Sequence, residues 1–115
     1  MQIYHNPRCS KSRQTLELLK ERGYTPEIVD YLKHPPKAET VQELSEKLGL
    51  PVLDLMRHNE SEYREQRELL TGMNESERCA WLAQHPRVLQ RPIVVVGAQA
   101  RLGRPPENVL EILQA

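Results

Sequence analysis

The chain has 115 residues, a length that suits one domain with its own hydrophobic core and hardly allows two. Its 16 Lys and Arg balance its 16 Asp and Glu, so charge gives no reason to expect a nucleic acid as the main partner. The sequence begins with no apolar leader and contains no apolar run of the roughly 20 residues that span a membrane, so we expect a cytoplasmic protein without membrane association.

The first third of the chain predicts a β-α-β unit. Residues 2–5 form a short β-prone run that an Asn-Pro pair ends. A helix is predicted at 10–22, with Gly23 after its last turn, and a second strand at 27–32. Because a single helix connects the two strands, we expect them to pair in parallel.

The middle of the chain, from about residue 40 to 89, predicts only helices. Thr40 and Glu43 have the spacing of a capping box at the start of one helix, which Gly49 is expected to end. Asn74 is expected to be the N-cap of a later helix. The helical segments after the first are predicted at 51–57, 61–70 and 74–84, the last of which begins at Asn74.

The last quarter of the chain returns to strands. Residues 93–96 (IVVV) predict a buried strand, and residues 99–102 predict its hairpin partner across Gly97-Ala98. A final helix is predicted at 107–114 after two prolines. This order predicts an α/β fold: a thioredoxin-like βαβ-ββα mixed sheet in a single domain (1–115), with an all-helical insertion at about 38–89 after the second strand.

The cysteine and histidine content argues against structural crosslinks and metals. The two cysteines, Cys9 and Cys79, are seventy positions apart and form no disulfide framework. The four histidines are scattered without the spacing of a zinc site, at His5, His34, His58 and His85. We therefore expect no bound metal, and we interpret Cys79, within a helical segment, as a packing residue.

Cys9 has the position of a reactive thiol. It follows a predicted strand and begins a predicted helix, where unpaired N–H groups and a partial positive charge lower the pKa of a thiol. Arg8, Lys11 and Arg13 add positive charge nearby, and His5 would contribute if it is protonated and faces inward. An isolated cysteine is more often a packing residue, but this position favours reactivity.

Ser12 bears on the kind of thiol chemistry. It lies three residues after Cys9, where a C-x-x-C motif places its resolving thiol, so this chain cannot form that local disulfide. A monothiol mechanism follows, in which an outside thiol completes the cycle. A phosphatase-type C-x5-R loop is excluded, because the sixth residue after Cys9 is Thr15.

Four segments resemble motifs of one family, the glutaredoxin-dependent arsenate reductase (ArsC) family. Residues 5–12 (HNPRCSKS) resemble its H-N-P-x-C-x-x-S signature, and residues 55–59 resemble its L-x-R-x-N segment. Residues 91–94 resemble its R-P-I-V strand, and residues 104–107 its R-P-x-E segment. The matches extend in order over nearly the whole chain, and among members the sequence looks closest to the YfgD/YffB-like and Spx-related groups.

The resemblance implies a role for each matching residue. Cys9 would be the nucleophile, with His5 and Ser12 tuning its thiolate and hydrogen-bonding to it. Pro92 would follow a cis peptide bond opposite the active cysteine. Three arginines would bind the oxyanion through fixed, charge-assisted hydrogen bonds, namely Arg57, Arg91 and Arg104.

The implied activity is reduction of arsenate to arsenite through a Cys9–arsenate adduct. Glutathione would be the co-substrate and glutaredoxin the protein partner, with no bound cofactor or metal, and the enzyme is expected to be a monomer. Two alternatives stay open: a glutathione-dependent thiol reductase of unknown substrate, and a non-catalytic, Spx-type regulator that binds RNA polymerase. Such regulators typically carry a C-x-x-C pair, so Ser12 counts against the second alternative.

Overall fold

The computed structural model describes residues 1–113, which divide into two units. The first unit contains Met1–His34 together with the segment from Arg91 onward. The second contains Pro35–Gln90. Within residues 1–113, none of the helices has the length and apolar character that spanning a membrane requires.

A four-stranded sheet forms the centre of the first unit. Its strands are β1 (Gln2–Tyr4), β2 (Glu27–Val29), β3 (Ile93–Val96) and β4 (Gln99–Leu102), in the order β2-β1-β3-β4. The strand β1 pairs in parallel with β2 and antiparallel with β3, while β3 and β4 form an antiparallel hairpin. The predicted mixed α/β sheet, its parallel pair and its hairpin are therefore confirmed.

The helix α1 (Ser10–Glu21) connects the parallel strands and packs on the sheet. Its Leu19 lies in a buried apolar cluster with Ile3 of β1 and Val94 of β3. Burying side chains of this size stabilises the fold by about 1.5–3 kcal/mol each. Gly23 follows the helix at φ +85°, a left-handed conformation that glycine adopts without steric cost, as the sequence predicts.

The last segment of the first unit differs from the prediction. A regular helix is predicted at 107–114, but the chain forms a 3-10 helix, Pro106–Ile112, and residue 114 lies outside the described residues. Its buried side chains are spaced three residues apart, at Pro106, Val109 and Ile112. A 3-10 helix has three residues per turn, so this spacing places all three on the buried face.

The strand β2 is shorter than the predicted 27–32. It ends at Val29 because the chain turns at Asp30, whose carbonyl accepts hydrogen bonds from the N–H groups of Lys33 (3.1 Å) and His34 (2.8 Å). Tyr31, predicted to continue the strand, is buried within this turn.

The second unit, 35–90, contains the predicted helical insertion. Its α-helices are α2 (Ala38–Leu48), α3 (Ser61–Thr71) and α4 (Glu75–Gln84), and two 3-10 segments accompany them at Val52–Leu55 and Pro86–Val88. The segment predicted as a short helix at 51–57 is thus a single 3-10 turn. The helices predicted at 61–70 and 74–84 agree with α3 and α4 to within one residue at each end.

Two predicted helix starts have opposite outcomes. The side chain of Asn74 accepts a hydrogen bond from the N–H of Glu77 (2.8 Å), whose carboxylate accepts one from the N–H of Asn74 (3.0 Å), so this capping box is confirmed. The box predicted at Thr40 and Glu43 is wrong. The helix α2 already begins at Ala38, because the carbonyl of the preceding residue, Lys37, accepts the first helical hydrogen bond and leaves Thr40 inside the first turn.

Candidate functional site

Cys9 is the N-cap residue of α1. Its backbone is extended, with φ −93° and ψ 124°, and its carbonyl accepts a hydrogen bond from the N–H of Arg13 at 3.0 Å. The first turn of the helix contains no acidic side chain, so nothing there offsets the positive helix end. The residue is 7 % exposed. The thiol therefore lies beside the unpaired N–H groups of the helix, as the sequence predicts.

Hydrogen bonds fix the short loop between β1 and Cys9. The side-chain oxygen of Asn6 accepts from the N–H of Arg8 at 2.9 Å, which makes an Asx-turn. The carbonyl of Asn6 accepts from the N–H of Cys9 at 3.0 Å. One residue therefore supports the loop twice, with its side chain and with its main chain.

His5 and Ser12 form a buried pair below this loop. His5 Nδ1 and Ser12 Oγ lie 2.6 Å apart, and Ser12 Oγ also accepts from the N–H of Asn6 at 3.0 Å. Burial lowers the pKa of His5, the charges of Lys20 and Arg13 lower it further, and Asp30 opposes the shift. A neutral ring lets Nδ1 accept a hydrogen bond from the Ser12 hydroxyl.

Two of the three predicted arginines lie in the same unit as Cys9. Arg104 Nη2 donates to Cys9 Sγ at 3.6 Å, and Arg104 Nε donates to the carbonyl of Arg91 at 2.8 Å. The Nε of Arg91 is buried and has no hydrogen-bond partner among the described residues. Such a buried donor is costly unless another group pairs with it. The arrangement brings two guanidinium groups to one thiol.

These neighbours decide the ionisation of Cys9. Burial raises the pKa of the thiol, but a hydrogen bond from the backbone N–H of Ser12 lowers it. The hydrogen bond and charge of the Arg91 side chain lower it further, as does the backbone N–H of Lys11. The net result is a pKa below its ordinary value of 9.0, which favours the thiolate.

The segment that carries Arg104 packs closely against α1. The peptide bond between Arg91 and Pro92 is cis, the geometry that the resemblance implies, and the bond between Arg104 and Pro105 is cis as well. Gly103 donates its N–H to the carbonyl of Pro92 at 2.9 Å. A Cβ at Gly103 would lie 2.5 Å from Thr15 Oγ1 and 2.7 Å from Pro92 Cγ, so in this arrangement the position has no room for a side chain. No motif or spacing in the sequence predicted this contact.

Arg57 lies in the other unit, Pro35–Gln90. Its Nη1 forms an ion pair with Glu60 Oε2 at 2.7 Å, three residues along the chain. Its assignment as an oxyanion ligand stays a prediction from sequence.

Cys79 has the opposite environment to Cys9. It is buried in α4, where burial and the charge of Glu75 raise the pKa of its thiol. This environment agrees with its interpretation as a packing residue. The described residues contain no cluster of three or more His, Cys, Asp or Glu side chains that could hold a metal ion.

Comparison with known proteins identifies the family. The model of the ArsC family matches residues 4–112. The chain belongs to the ArsC family. It is 46% identical to YfgD of Escherichia coli strain K12, a match that covers 98% of this chain and 96% of that protein. It is 40% identical to an arsenate reductase of Haemophilus influenzae, with 96% and 97% of the two chains covered.

A solved structure shares the fold of this ArsC family member. The arsenate reductase from Vibrio cholerae superposes with a TM-score of 0.93 at 46% identity, with 97% of this chain and 96% of that chain covered. The thioredoxin-like α/β fold of the family is therefore the fold of this chain. Within it, the ArsC motif residues Cys9, His5, Ser12, Arg91 and Arg104 all lie in the first unit.

Proposed function

We propose that this ArsC family protein reduces arsenate to arsenite, with Cys9 as the nucleophile and glutathione and glutaredoxin as the electron donors. One observation carries the proposal: a thiol with a lowered pKa lies at a helix N-terminus with the Arg104 guanidinium 3.6 Å from its sulfur and the charge of Arg91 acting on it. A nucleophile and cationic donors are the two things that attack on an oxyanion requires.

Arg91 and Arg104 bind the substrate in this proposal. Arsenate is a tetrahedral anion with several acceptor oxygens, and a planar guanidinium donates to two of them at fixed angles. The Arg91 side chain acts on Cys9 through a hydrogen bond and its charge, which places its guanidinium beside the nucleophile. Arg104 is held by its bond to the carbonyl of Arg91, so its remaining donors are oriented before the anion arrives.

The reaction begins with attack of the Cys9 thiolate on arsenic. A sulfur–arsenic bond forms, one arsenic–oxygen bond breaks, and the oxygen leaves as water after taking a proton. A glutathione thiolate then displaces a second oxygen, again as water, so that As(V) is bonded to both sulfurs. No electrons have yet been transferred to arsenic. The positive groups around Cys9 stabilise the negative charge that develops during the attack.

The reduction occurs when glutaredoxin attacks the glutathione sulfur. The bond between that sulfur and arsenic breaks, and its electron pair passes to arsenic, which becomes As(III). The two thiols are oxidised to a mixed disulfide of glutaredoxin and glutathione. Water then replaces the Cys9 sulfur on arsenic, which releases arsenite and returns the Cys9 thiol.

The chain's own cysteines support the need for an outside thiol. Ser12 occupies the position of a resolving cysteine, and Cys79 is buried with a raised thiol pKa. Neither residue supplies a second reactive sulfur. A cytoplasmic location, where glutathione and glutaredoxin keep thiols reduced, is part of the same proposal.

The test is arsenate-dependent oxidation of NADPH in the presence of glutathione, glutaredoxin and glutathione reductase. We expect the wild-type protein and the Cys79→Ser variant to support turnover and the Cys9→Ser variant to support none, because an alcohol at residue 9 has no accessible anion at neutral pH. Equal rates of NADPH oxidation with and without the wild-type protein would show that it does not reduce arsenate.

A glutathionylated protein, assayed in parallel, separates the alternative thiol reductase from arsenate reduction. Cys9-dependent release of glutathione without arsenate turnover would assign the same nucleophile to that substrate. The observation that favours keeping this alternative is the lowered pKa of Cys9, which activates the sulfur toward any suitable electrophile.

A further inference from the structure

Arg13 joins the first turn of α1 to the loop that carries Cys9. Its backbone N–H donates to the carbonyl of Cys9 at 3.0 Å, and its side-chain Nη1 donates to the carbonyl of Pro7 at 2.8 Å. One residue thus holds the chain on both sides of Arg8. The side chain is exposed, so packing does not explain its placement.

The carbonyl of Pro7 is the acceptor through which the Arg13 side chain contacts the loop. The N–H groups of Asn6, Arg8 and Cys9 all have acceptors within the loop and helix. Pro7 has no N–H, so its carbonyl is its one hydrogen-bonding group. Arg13 supplies the donor, and this fixes the plane of the peptide that leads from Pro7 into Arg8.

The plane of that peptide determines where the following residues point. The backbone N–H groups of Ser12 and Lys11 lower the pKa of the Cys9 thiol, so this effect depends on where the loop places residue 9 at the helix start. We propose that Arg13 is a positioning residue for the nucleophile, which holds the Cys9 loop on the helix through the Pro7 carbonyl. This inference rests on the proposed role of Cys9 as the nucleophile.

The charge of Arg13 also acts on His5, which helps to hold the same loop. It lowers the pKa of His5, in addition to the larger effect of burial. A neutral His5 accepts from the hydroxyl of Ser12, which in turn accepts the N–H of Asn6 at the start of the loop. Arg13 therefore contacts the loop directly at the Pro7 carbonyl. Its charge also favours the neutral His5, which accepts from Ser12 beneath the loop.

The experiment compares Arg13→Met, Arg13→Lys and Arg8→Met, each in the full chain with Cys79→Ser so that residue 9 is the one thiol. Arg8 is the matched control. It is an exposed arginine next to Cys9, and within residues 1–113 its side chain makes no hydrogen bond or ion pair. The readouts are the rate of alkylation by iodoacetamide against pH and the carbonyl carbon chemical shift of Pro7. Neither readout depends on arsenate, so the outcome is independent of whether arsenate is the substrate.

We expect Arg13→Met to raise the apparent pKa of Cys9 and to slow alkylation at pH 7 by about three- to five-fold, because the thiolate loses its alignment with the N–H groups. Arg13→Lys keeps one charged donor and is expected to restore part of the rate. Arg8→Met should have a smaller effect, although it removes a charge closer in sequence. The proposal is overturned if Arg8→Met matches or exceeds Arg13→Met, or if the Pro7 carbonyl shift is unchanged in Arg13→Met.

Discussion

Cys9 combines a nearly buried sulfur with a lowered pKa, which is unusual because burial alone raises the pKa of a thiol. The difference comes from the groups that surround it. Two backbone N–H groups at the helix start and the side chain of Arg91 all favour the thiolate. Cys79 lacks these groups, and burial raises the pKa of its thiol. The reactivity of a cysteine in this chain is therefore set by neighbours at hydrogen-bond distance.

Replacing Arg104 by alanine tests the anion site at the level of one side chain. The substitution removes a side-chain donor that lies 3.6 Å from Sγ, so oxyanion binding should weaken by about 1.5–3 kcal/mol, the range for a hydrogen bond to a charged group. Binding is measured as protection of Cys9 from alkylation by increasing arsenate. Arg101→Ala is the control, since Arg101 is ion-paired with Glu111. Equal protection in wild-type protein and Arg104→Ala would remove Arg104 from the site.

The sequence predicted the residues of the candidate site better than it predicted the residues that hold them in place. Residue type and position in a motif predicted Cys9, His5 and Ser12 and their proximity. The sequence analysis treated Arg13 only as a nearby positive charge and gave Gly103 no role, because residue pattern does not show that Arg13 donates to the Pro7 carbonyl or that Gly103 lies against Thr15. The contact between Gly103 and Thr15 spans 88 positions, a separation at which spacing rules give no information.

At the level of elements, the predictions succeeded where local chemistry decides the structure. The hairpin of β3 and β4 and the helix end at Gly23 follow from apolar patterning and from a glycine at positive φ. The start of α2 and the 3-10 form of 106–112 were predicted wrongly. The local sequence of α2 fits more than one first residue, and that of 106–112 fits either an α-helix or a 3-10 helix. Tertiary packing selects among these possibilities.

Asn74→Ala tests the capping box at the start of α4. The substitution removes the acceptor for the N–H of Glu77 and should lower the free energy of unfolding by about 1 kcal/mol. Urea denaturation followed by circular dichroism measures the change. The control is Asn59→Ala, at an exposed asparagine outside any helix. A loss in Asn59→Ala as large as that in Asn74→Ala would contradict the capping role.

At the scale of the whole molecule, the shifted groups make stability depend on pH. Unfolded Cys9 keeps its proton up to about pH 9.0, whereas the folded protein releases it at lower pH. The unfolded state therefore binds more protons between the folded pKa and 9.0, and the free energy of unfolding rises with pH through that window. His5 acts with the same sign at lower pH: its folded pKa lies below 6.5, so stability falls as the pH drops below 6.5.

The Cys9 contribution can be isolated by comparing wild-type protein with Cys9→Ser. We expect the wild type to gain stability relative to the variant between neutral pH and pH 9, by at most about 1.4 kcal/mol per pH unit. Urea denaturation at several pH values under reducing conditions measures the difference. A difference that stays constant with pH would mean that the pKa of the thiol is the same in both states.

The two thiols of this chain differ enough to be counted separately by mass. Cys9 favours its anion and Cys79 its neutral form, so a brief exposure of the native protein to a maleimide or iodoacetamide near neutral pH should add one label, at residue 9. The same reagent in denaturant should add two. Intact-mass spectrometry of the folded protein would then report directly how much of a preparation still has its residue-9 sulfur unmodified.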